Sequence, residues 1–103
     1  MNRTEATSIL RKHLDHVEAL GYVALAARIG QDEAFERQGE SGVAYQLEVS
    51  VLWDHKANGA IRILGSIDDG GLRAFVPLTD SRLVEPQTGP PASRAGPRKP
   101  GAA

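Results

Sequence analysis

The sequence contains no cysteine, and this absence excludes three kinds of chemistry at once. Disulfide bonds, thiolate zinc sites and thiol catalysis all require a cysteine sulfur. Long apolar runs are also missing: no stretch approaches the roughly 20 apolar residues of a membrane span. The N-terminal residues lead into an amphipathic segment without the apolar core of a secretory signal. We therefore expect a cytoplasmic protein with no membrane partner.

The sequence also lacks a large excess of charge of either sign, since the formal net charge is −1. No global field favours nucleic acid, and we expect no nucleic-acid partner. The near-neutral total nevertheless hides an uneven distribution. Residues 1–85 carry nine basic and thirteen acidic side chains, whereas residues 86–103 carry three basic side chains and no acidic one.

The chain of 103 residues, 41% of them hydrophobic, has room for one small domain. Residues 86–103 are rich in Pro, Gly and Ala and contain no large apolar side chain. Such a segment cannot offset its ordering entropy by burial, so a disordered tail is predicted. The domain is therefore expected to span residues 1–85.

Apolar residues recur at spacings of three and four near the N-terminus and predict a helix over residues 4–20. The apolar stripe consists of Ala6, Ile9, Leu10, Leu14, Val17 and Leu20. Either Thr4, or Asn2 with Glu5 three residues later, supplies the N-cap. Gly21 is suited to end the helix in the left-handed conformation.

Residues 22–29 predict a second helix of two turns that ends at Gly30, although the same residues also fit a short strand. A short strand is predicted over residues 33–38, and the glycines of residues 39–42 suit a hairpin loop. Residues 45–53 then alternate apolar and polar side chains, which is the period of a half-buried strand.

A third strand is predicted from Ala60 to Ile67, followed by a hairpin closed at a tight Asp69-Gly70 turn. A two-residue turn fixes the register of the strands that it joins. The resulting pairs are Ile67 with Leu72, Leu64 with Phe75, Ile63 with Val76, and Ile61 with Leu78. Pro77 cannot donate a ladder hydrogen bond and belongs on an edge strand, as the last strand of a meander is.

The predicted fold is thus α+β: two N-terminal helices packed on one face of a four-stranded antiparallel β-meander. The second face of that sheet is expected to carry an apolar cluster rimmed by charges, which is typical of small interaction surfaces. The residues predicted to form the protein-interaction site are Leu52, Arg62, Leu64, Arg73 and Phe75. Alternatively, the arginine stems cover the apolar side chains, or the tail covers the face.

Three other groups of residues are poor candidates for a metal site, an acid-base pair or a nucleic-acid-binding surface. His13 and His16 stand three apart on the first helix, but one is expected to be partly buried and the other exposed. Asp68 and Asp69 are explained by the turn rather than by acid-base work. One aromatic beside Arg62 and Arg73 makes a poor base-stacking platform. We therefore predict no catalytic, metal-binding or cofactor-binding residues, and we expect no cofactor.

The order helix, short helix ending at Ile29-Gly30, then a four-stranded meander resembles the α-α-β-β-β units of the BamE and β-lactamase-inhibitor-protein type. The string from Ser66 to Leu78 also resembles one in small bacterial proteins of unassigned activity. The first resemblance implies protein binding through an exposed sheet face and no enzymatic activity. It does not carry over an envelope location, because this sequence lacks a signal and a lipobox cysteine.

We therefore expect a non-enzymatic protein-interaction or accessory module, of an immunity or adaptor type. Its partner is another protein or a second copy of the chain, and an acidic body favours a basic target. The alternative is a small-molecule-binding protein or small enzyme. That alternative requires a pocket between helices and sheet that uses Tyr22, His13 or Trp53.

Overall fold

The computed structural model describes residues 2–70 and 77–86 of the chain, which form two helices and four strands. The elements are α1 (Arg3–Glu18), α2 (Tyr22–Ala26), β1 (Asp32–Gln38), β2 (Ala44–Trp53), β3 (Ile61–Asp68) and β4 (Leu78–Val84). The strands form one antiparallel sheet in the order β1-β2-β3-β4. The α+β class and the four-stranded meander are therefore confirmed. The tail from residue 87 onward lies outside the described residues.

Asn2, rather than Thr4, is the N-cap of α1. The side-chain oxygen of Asn2 accepts a hydrogen bond from the backbone N–H of Glu5 at 3.0 Å. This bond satisfies one of the helix donors that have no intrahelical partner. Gly21 does not end α1 in the left-handed helical conformation as predicted. With φ 90° and ψ 163°, it turns the chain between Ala19 and α2 instead.

The second helix is shorter than predicted. Helix α2 has five residues, and Leu25 is the one that is fully buried. The chain then turns to Gly30, whose φ of +83° is one that glycine adopts without strain. The two-helix layer is consequently confirmed only in part, because α1 supplies most of the helical packing surface.

The predicted register of the last hairpin is wrong. Strand β4 begins at Leu78, and it is this residue, not Leu72, that lies opposite Ile67. Ile61 lies opposite Val84 instead of Leu78, and Leu64 lies opposite Ser81 instead of Phe75. The local turn chemistry is present: Asp68 Oδ1 accepts a hydrogen bond from Gly70 N–H at 2.8 Å. Among the described residues, the strand that pairs with β3 nevertheless begins at Leu78.

Strand β4 is joined to α1 by ion pairs that the sequence interpretation did not consider. On its helix-facing side β4 carries Asp80 and Arg82 rather than a continuous apolar row. Arg82 Nη1 donates a hydrogen bond to Glu18 Oε1 at 3.0 Å and a second one to Asp15. These bonds raise the pKa of the Arg82 guanidinium above its ordinary value. A prediction based on apolar matching alone could not foresee a polar contact between helix and edge strand.

The core lies between α1 and the sheet and is wholly apolar among the described residues. Its buried members are Ala6, Leu10, Leu14, Val17, Leu25, Tyr45, Leu47, Val49, Val51, Ile61, Ile63 and Ile67. The strand members alternate along β2 and β3, as the sequence predicts. Helix α1 packs mainly over β3 and β4, which leaves β1 at the far edge of the sheet.

Gly65 permits the close approach of α1 to β3. A Cβ atom at this position would lie 2.9 Å from Leu10 Cδ1 and 3.0 Å from Leu14 Cδ2. Carbon atoms in ordinary contact stand about 3.5 to 4.0 Å apart. The glycine therefore sets the depth at which the helix is seated on the sheet.

A second contact fastens the N-terminus of α1 to the β1–β2 hairpin. The Glu5 carboxylate accepts hydrogen bonds from Ser41 Oγ at 2.6 Å, Ser41 N–H at 3.0 Å and the Tyr45 hydroxyl at 2.8 Å. The bonds from Ser41, followed by that from Tyr45, lower the pKa of Glu5. The pKa of the Tyr45 hydroxyl is raised, chiefly by burial and next by its hydrogen bond to Glu5. Gly39 lies against this carboxylate and has no side chain to displace it.

This contact predicts a pH-dependent effect of the Glu5→Gln substitution. Because the folded-state pKa of Glu5 is lowered, its stabilisation is present above the ordinary carboxyl pKa and is lost as pH falls through the lowered value. The variant should be less stable than the wild type near pH ~7, and the gap should narrow near pH ~3. Urea unfolding midpoints at both pH values measure the gap. An equal gap at both would contradict the assignment.

Candidate functional site

The sheet has one face that neither helix covers, which we call the open face. Side chains alternate between the two faces of a strand, so the residues between the core positions point away from α1. On β2 these are Gln46, Glu48, Ser50 and Leu52, and on β3 they are Arg62, Leu64, Ser66 and Asp68. On β4 they are Thr79, Ser81 and Leu83.

Three leucines from neighbouring strands form an exposed apolar group on this face, which we call the leucine cluster. Leu52, Leu64 and Leu83 are 36%, 44% and 41% exposed. In the ladder Leu52 and Leu83 lie on either side of Arg62, and Leu64 lies two residues further along β3. Diagonal neighbours at such spacing are within reach of long side chains. The cluster is therefore one continuous patch rather than three isolated exposures.

The guanidinium of Arg62 is held in a fixed position beside the leucine cluster. Its Nε and Nη2 atoms lie 3.0 and 2.9 Å from Asp54 Oδ1, and its Nη1 donates to Ser81 Oγ at 3.3 Å. The Asp54 side chain is only 18% exposed, so this ion pair is partly shielded from solvent. The arginine stem runs between leucines, as the alternative interpretation of this face expects, yet all three leucines stay exposed.

The part of the open face toward β1 and the β1–β2 hairpin is acidic, and we call it the acidic end. Its carboxylates are Asp32 and Glu36 on β1, Glu48 on β2 and Asp68 on β3. Glu36 accepts a hydrogen bond from Gln46 Nε2 at 3.2 Å. Within residues 2–70 and 77–86, Arg62 is the one cation on this face, and it is paired with Asp54. The face thus has an apolar end and an acidic end.

The structure brings together three of the five residues predicted for the interaction site. Leu52, Arg62 and Leu64 adjoin one another on the open face, whereas Arg73 and Phe75 lie outside the described residues. The faces of β3 are set by its pairing with β2 and by the burial of Ile61, Ile63 and Ile67, not by the register of β4. Leu64 is therefore outward-facing even though its predicted partner on the last strand is wrong.

Leu83 is the site residue that the sequence interpretation missed. It follows the segment that was expected to form the last strand. Period-two patterning gave no signal there, because β4 carries polar side chains on both faces. Recognising that Asp80 and Arg82 could pair with charged residues of α1 would have identified this strand.

The histidine pair on α1 is separated by its environment. The His13 side chain is 11% exposed and its ring packs at a tilt against that of Phe35, with 4.7 Å between the ring centroids, whereas His16 is exposed. The nearest carboxylate oxygen, Glu33 Oε1, lies 3.4 Å from His13 Nε2. Across the described ranges, no group of three or more His, Asp and Glu side chains is placed to hold a metal ion.

The residues of the alternative pocket do not converge. The Tyr22 hydroxyl donates to Gly59 O at 2.7 Å near the start of β3, while His13 lies against Phe35 on β1. Trp53 is partly buried against the core. An open groove of about 520 Å³ does separate the start of α1 from the β1–β2 hairpin. It is lined by Ser8, Lys12 and Arg37 among others, and by none of the three residues predicted for the pocket.

No helix in the described part of the chain is long and apolar enough to cross a membrane. The resemblance to BamE-like units rests on the element order and stays a prediction. Compared with protein-family models, with curated proteins and with solved structures, the chain matches none of them.

Proposed function

We propose that the protein is a non-enzymatic interaction or accessory module that binds another protein through the open face. The observation that carries this proposal is the leucine cluster, whose three large apolar side chains stand exposed around a clamped arginine. Contiguous apolar patches rimmed by polar groups are a recurring feature of protein-binding surfaces. An adaptor, or an immunity-type protein that masks its target, requires a binding surface of this kind.

The arrangement of Arg62 supports the same proposal. Ordering a long side chain at an interface costs conformational entropy. Asp54 and Ser81 hold the guanidinium in place before any partner arrives, so much of this cost is already met by the fold. Arginine is also among the residue types that dominate binding energy at interfaces. The leucine cluster and Arg62 together therefore form a pre-organised anchor site.

The acidic end of the open face specifies the chemistry of the partner. Asp32, Glu36, Glu48 and Asp68 favour a partner that presents basic side chains next to an apolar anchor. Complementary charge steers association and excludes partners of like charge. We place this module in the cytoplasm, which agrees with the absence of cysteine from the sequence.

Affinity capture with a matched pair of variants tests the proposal. The Leu52→Ser, Leu64→Glu double variant alters the cluster, whereas Val23→Glu alters a residue of α2 that is 83% exposed on the helical side. Proteins that bind through the open face should fall by about tenfold or more in captures with the double variant, because truncating a hot spot costs roughly 2 kcal/mol or more. They should persist in captures with Val23→Glu.

Circular dichroism and thermal unfolding establish that both variants are folded. Quantitative mass spectrometry of the captures then compares protein abundances among wild type and variants, at low and at about 0.5 M salt. Recovery should also decline in high salt, since the acidic end contributes to binding. An identical set of captured proteins from wild type and the folded double variant would overturn the proposal.

A further inference from the structure

Among residues 2–70 and 77–86, no strand pairs with the outer hydrogen-bonding side of the edge strand β1. Its seven residues pair with β2 alone, and no strand in the described part of the chain lies beyond it. It contains neither proline nor lysine, two residues that often protect sheet edges. Six of its seven residues are exposed, and the seventh is Phe35. The feature is the backbone edge of β1 and does not rest on the function proposed above, although Asp32 and Glu36 of this strand also belong to the open face.

The ladder shows which backbone groups point outward. Immediately after β1, Gly39 N–H donates to Val43 O at 2.8 Å, in line with the pairing of Gln38 and Ala44. In an antiparallel ladder, alternate residues direct both backbone groups to the same neighbour. Glu33, Phe35 and Arg37 therefore direct theirs toward β2. Free groups point outward from Asp32, Ala34, Glu36 and Gln38.

We propose that β1 pairs with β1 of a second copy of this chain, antiparallel about a two-fold axis at Phe35. The product is an isologous dimer in which two four-stranded sheets become one continuous sheet. The outward groups of Ala34 and Glu36 then pair across the axis. Those of Asp32 and Gln38 pair at the two ends, so every free group of the strand gains a partner.

The side chains agree with this register. Glu33 lies opposite the partner's Arg37, and by symmetry the same ion pair forms twice. Phe35 lies opposite the partner's Phe35, and aromatic cross-strand pairs are favourable. Both kinds of pair occupy non-hydrogen-bonded positions, where side chains approach most closely. Glu33 and Arg37 are both exposed. Within the protomer Glu33 Oε1 lies 3.4 Å from His13 Nε2, and the guanidinium carbon of Arg37 lies 5.4 Å from the Phe35 ring centroid.

Neighbouring registers that also match outward groups are disfavoured. With the axis at Ala34, Asp32 would lie opposite Glu36 of the second copy, and with the axis at Glu36 the two Glu36 carboxylates would face each other. Like charges directly opposite are destabilising. The register about Phe35 avoids every such pair and uses the whole length of β1. The charged side chains of β1 thus disfavour these alternative registers but are compatible with pairing to β1 of a second copy about Phe35.

The other edge of the sheet is less suited to the same pairing. On the helix-facing side of β4, Arg82 is already engaged by Asp15 and Glu18 of α1. Pro77 and Pro86 stand on either side of β4 and remove backbone donors there. On β1 the contacts with α1 come from His13, which lies 3.4 Å from Glu33 and packs against Phe35, and no arginine of the strand is engaged by two helix carboxylates. Gln31 and Gly39, rather than prolines, flank β1.

Two charge reversals test the proposal without requiring that any single variant dimerise. The wild-type chain should dimerise with a dissociation constant of about 1 to 100 µM, because the interface is small. Glu33→Lys and Arg37→Glu should each weaken self-association by about tenfold to a hundredfold, since two attractive pairs become repulsive. An equimolar mixture of the two should form heterodimers at least as tightly as the wild type. Sedimentation equilibrium of the full chain measures all four states.

Proline variants identify the edge that is used. Ala34→Pro removes an outward N–H of β1 and should abolish the dimer, whereas Thr79→Pro, at an outward position of β4, should leave it intact. Leu64→Glu on the open face should also leave it intact. A monomeric wild-type chain, including one whose own residues 87–103 occupy the edge, overturns the proposal. So does a dimer that is lost in Thr79→Pro or Leu64→Glu, or charge variants that fail to associate when mixed.

Discussion

Replacing Gly65 with valine should lower the free energy of unfolding by about 2 to 3 kcal/mol, in the upper part of the range of about 1 to 3 kcal/mol that is typical of overpacking a core. The added side chain would enter the space now occupied by Leu10 Cδ1 and Leu14 Cδ2, which lie 2.9 and 3.0 Å from the point where its Cβ atom would stand. Both leucines are fully buried and have no solvent into which to move. Helix α1 must therefore rise off β3 or tilt.

The neighbouring Ser66→Val substitution is the matched control. It adds the same β-branched side chain to the same strand but on the open face, so its effect should stay within about 0.5 kcal/mol. Thermal unfolding followed by circular dichroism should show Gly65→Val melting about 10 to 20 °C below the wild type. In a Leu10→Ala background the cost of Gly65→Val should shrink, because the two sites share one space. Equal melting of the two valine variants would show that α1 is not seated on Gly65.

Truncating Leu14 to alanine should lower the free energy of unfolding by about 3 kcal/mol, through lost burial and the cavity that remains. The side chain has no exposed surface and lies at the centre of the contact between α1 and the sheet. A small domain has only about 5 to 15 kcal/mol in total, so this single change removes a large share of it.

Val23→Ala provides the corresponding control for this truncation. Val23 belongs to α2 and is 83% exposed, so its removal should change stability by less than about 0.5 kcal/mol. Urea denaturation at constant pH yields both values from the midpoints and slopes. If Leu14→Ala cost no more than Val23→Ala, α1 would not be docked through its apolar stripe.

The sequence was informative about the fold wherever apolar periodicity determined the structure. The alternation along β2 and the stripe of α1 both correspond to buried positions, because burial of those side chains is the main stabilising term. The last strand was mispredicted because the prediction relied on apolar periodicity alone. Strand β4 is held partly by Arg82 and its two carboxylate partners on α1, and contacts between charged residues far apart in sequence leave no periodic signature.

The candidate site was predictable to the extent that it depends on the alternation of side chains along β2 and β3. Leu52, Leu64 and Arg62 follow from the faces of these two strands, which the register of β4 does not affect. Leu83 and the Asp54 clamp depend on the actual register and on a diagonal contact across strands. The dimer register about Phe35 depends in turn on which backbone groups point outward, which only the observed ladder reveals.

The contact between Arg82 and Asp15 also has a consequence for how the chain folds. These two residues are 67 positions apart, so the first helix completes its docking only against the last strand. Joining segments so distant requires closure of a long loop, which slows folding. During synthesis α1 emerges early but must wait for β4 before its charged edge is satisfied. A chain interrupted before Leu78 would leave the outer side of β3 open to any strand nearby.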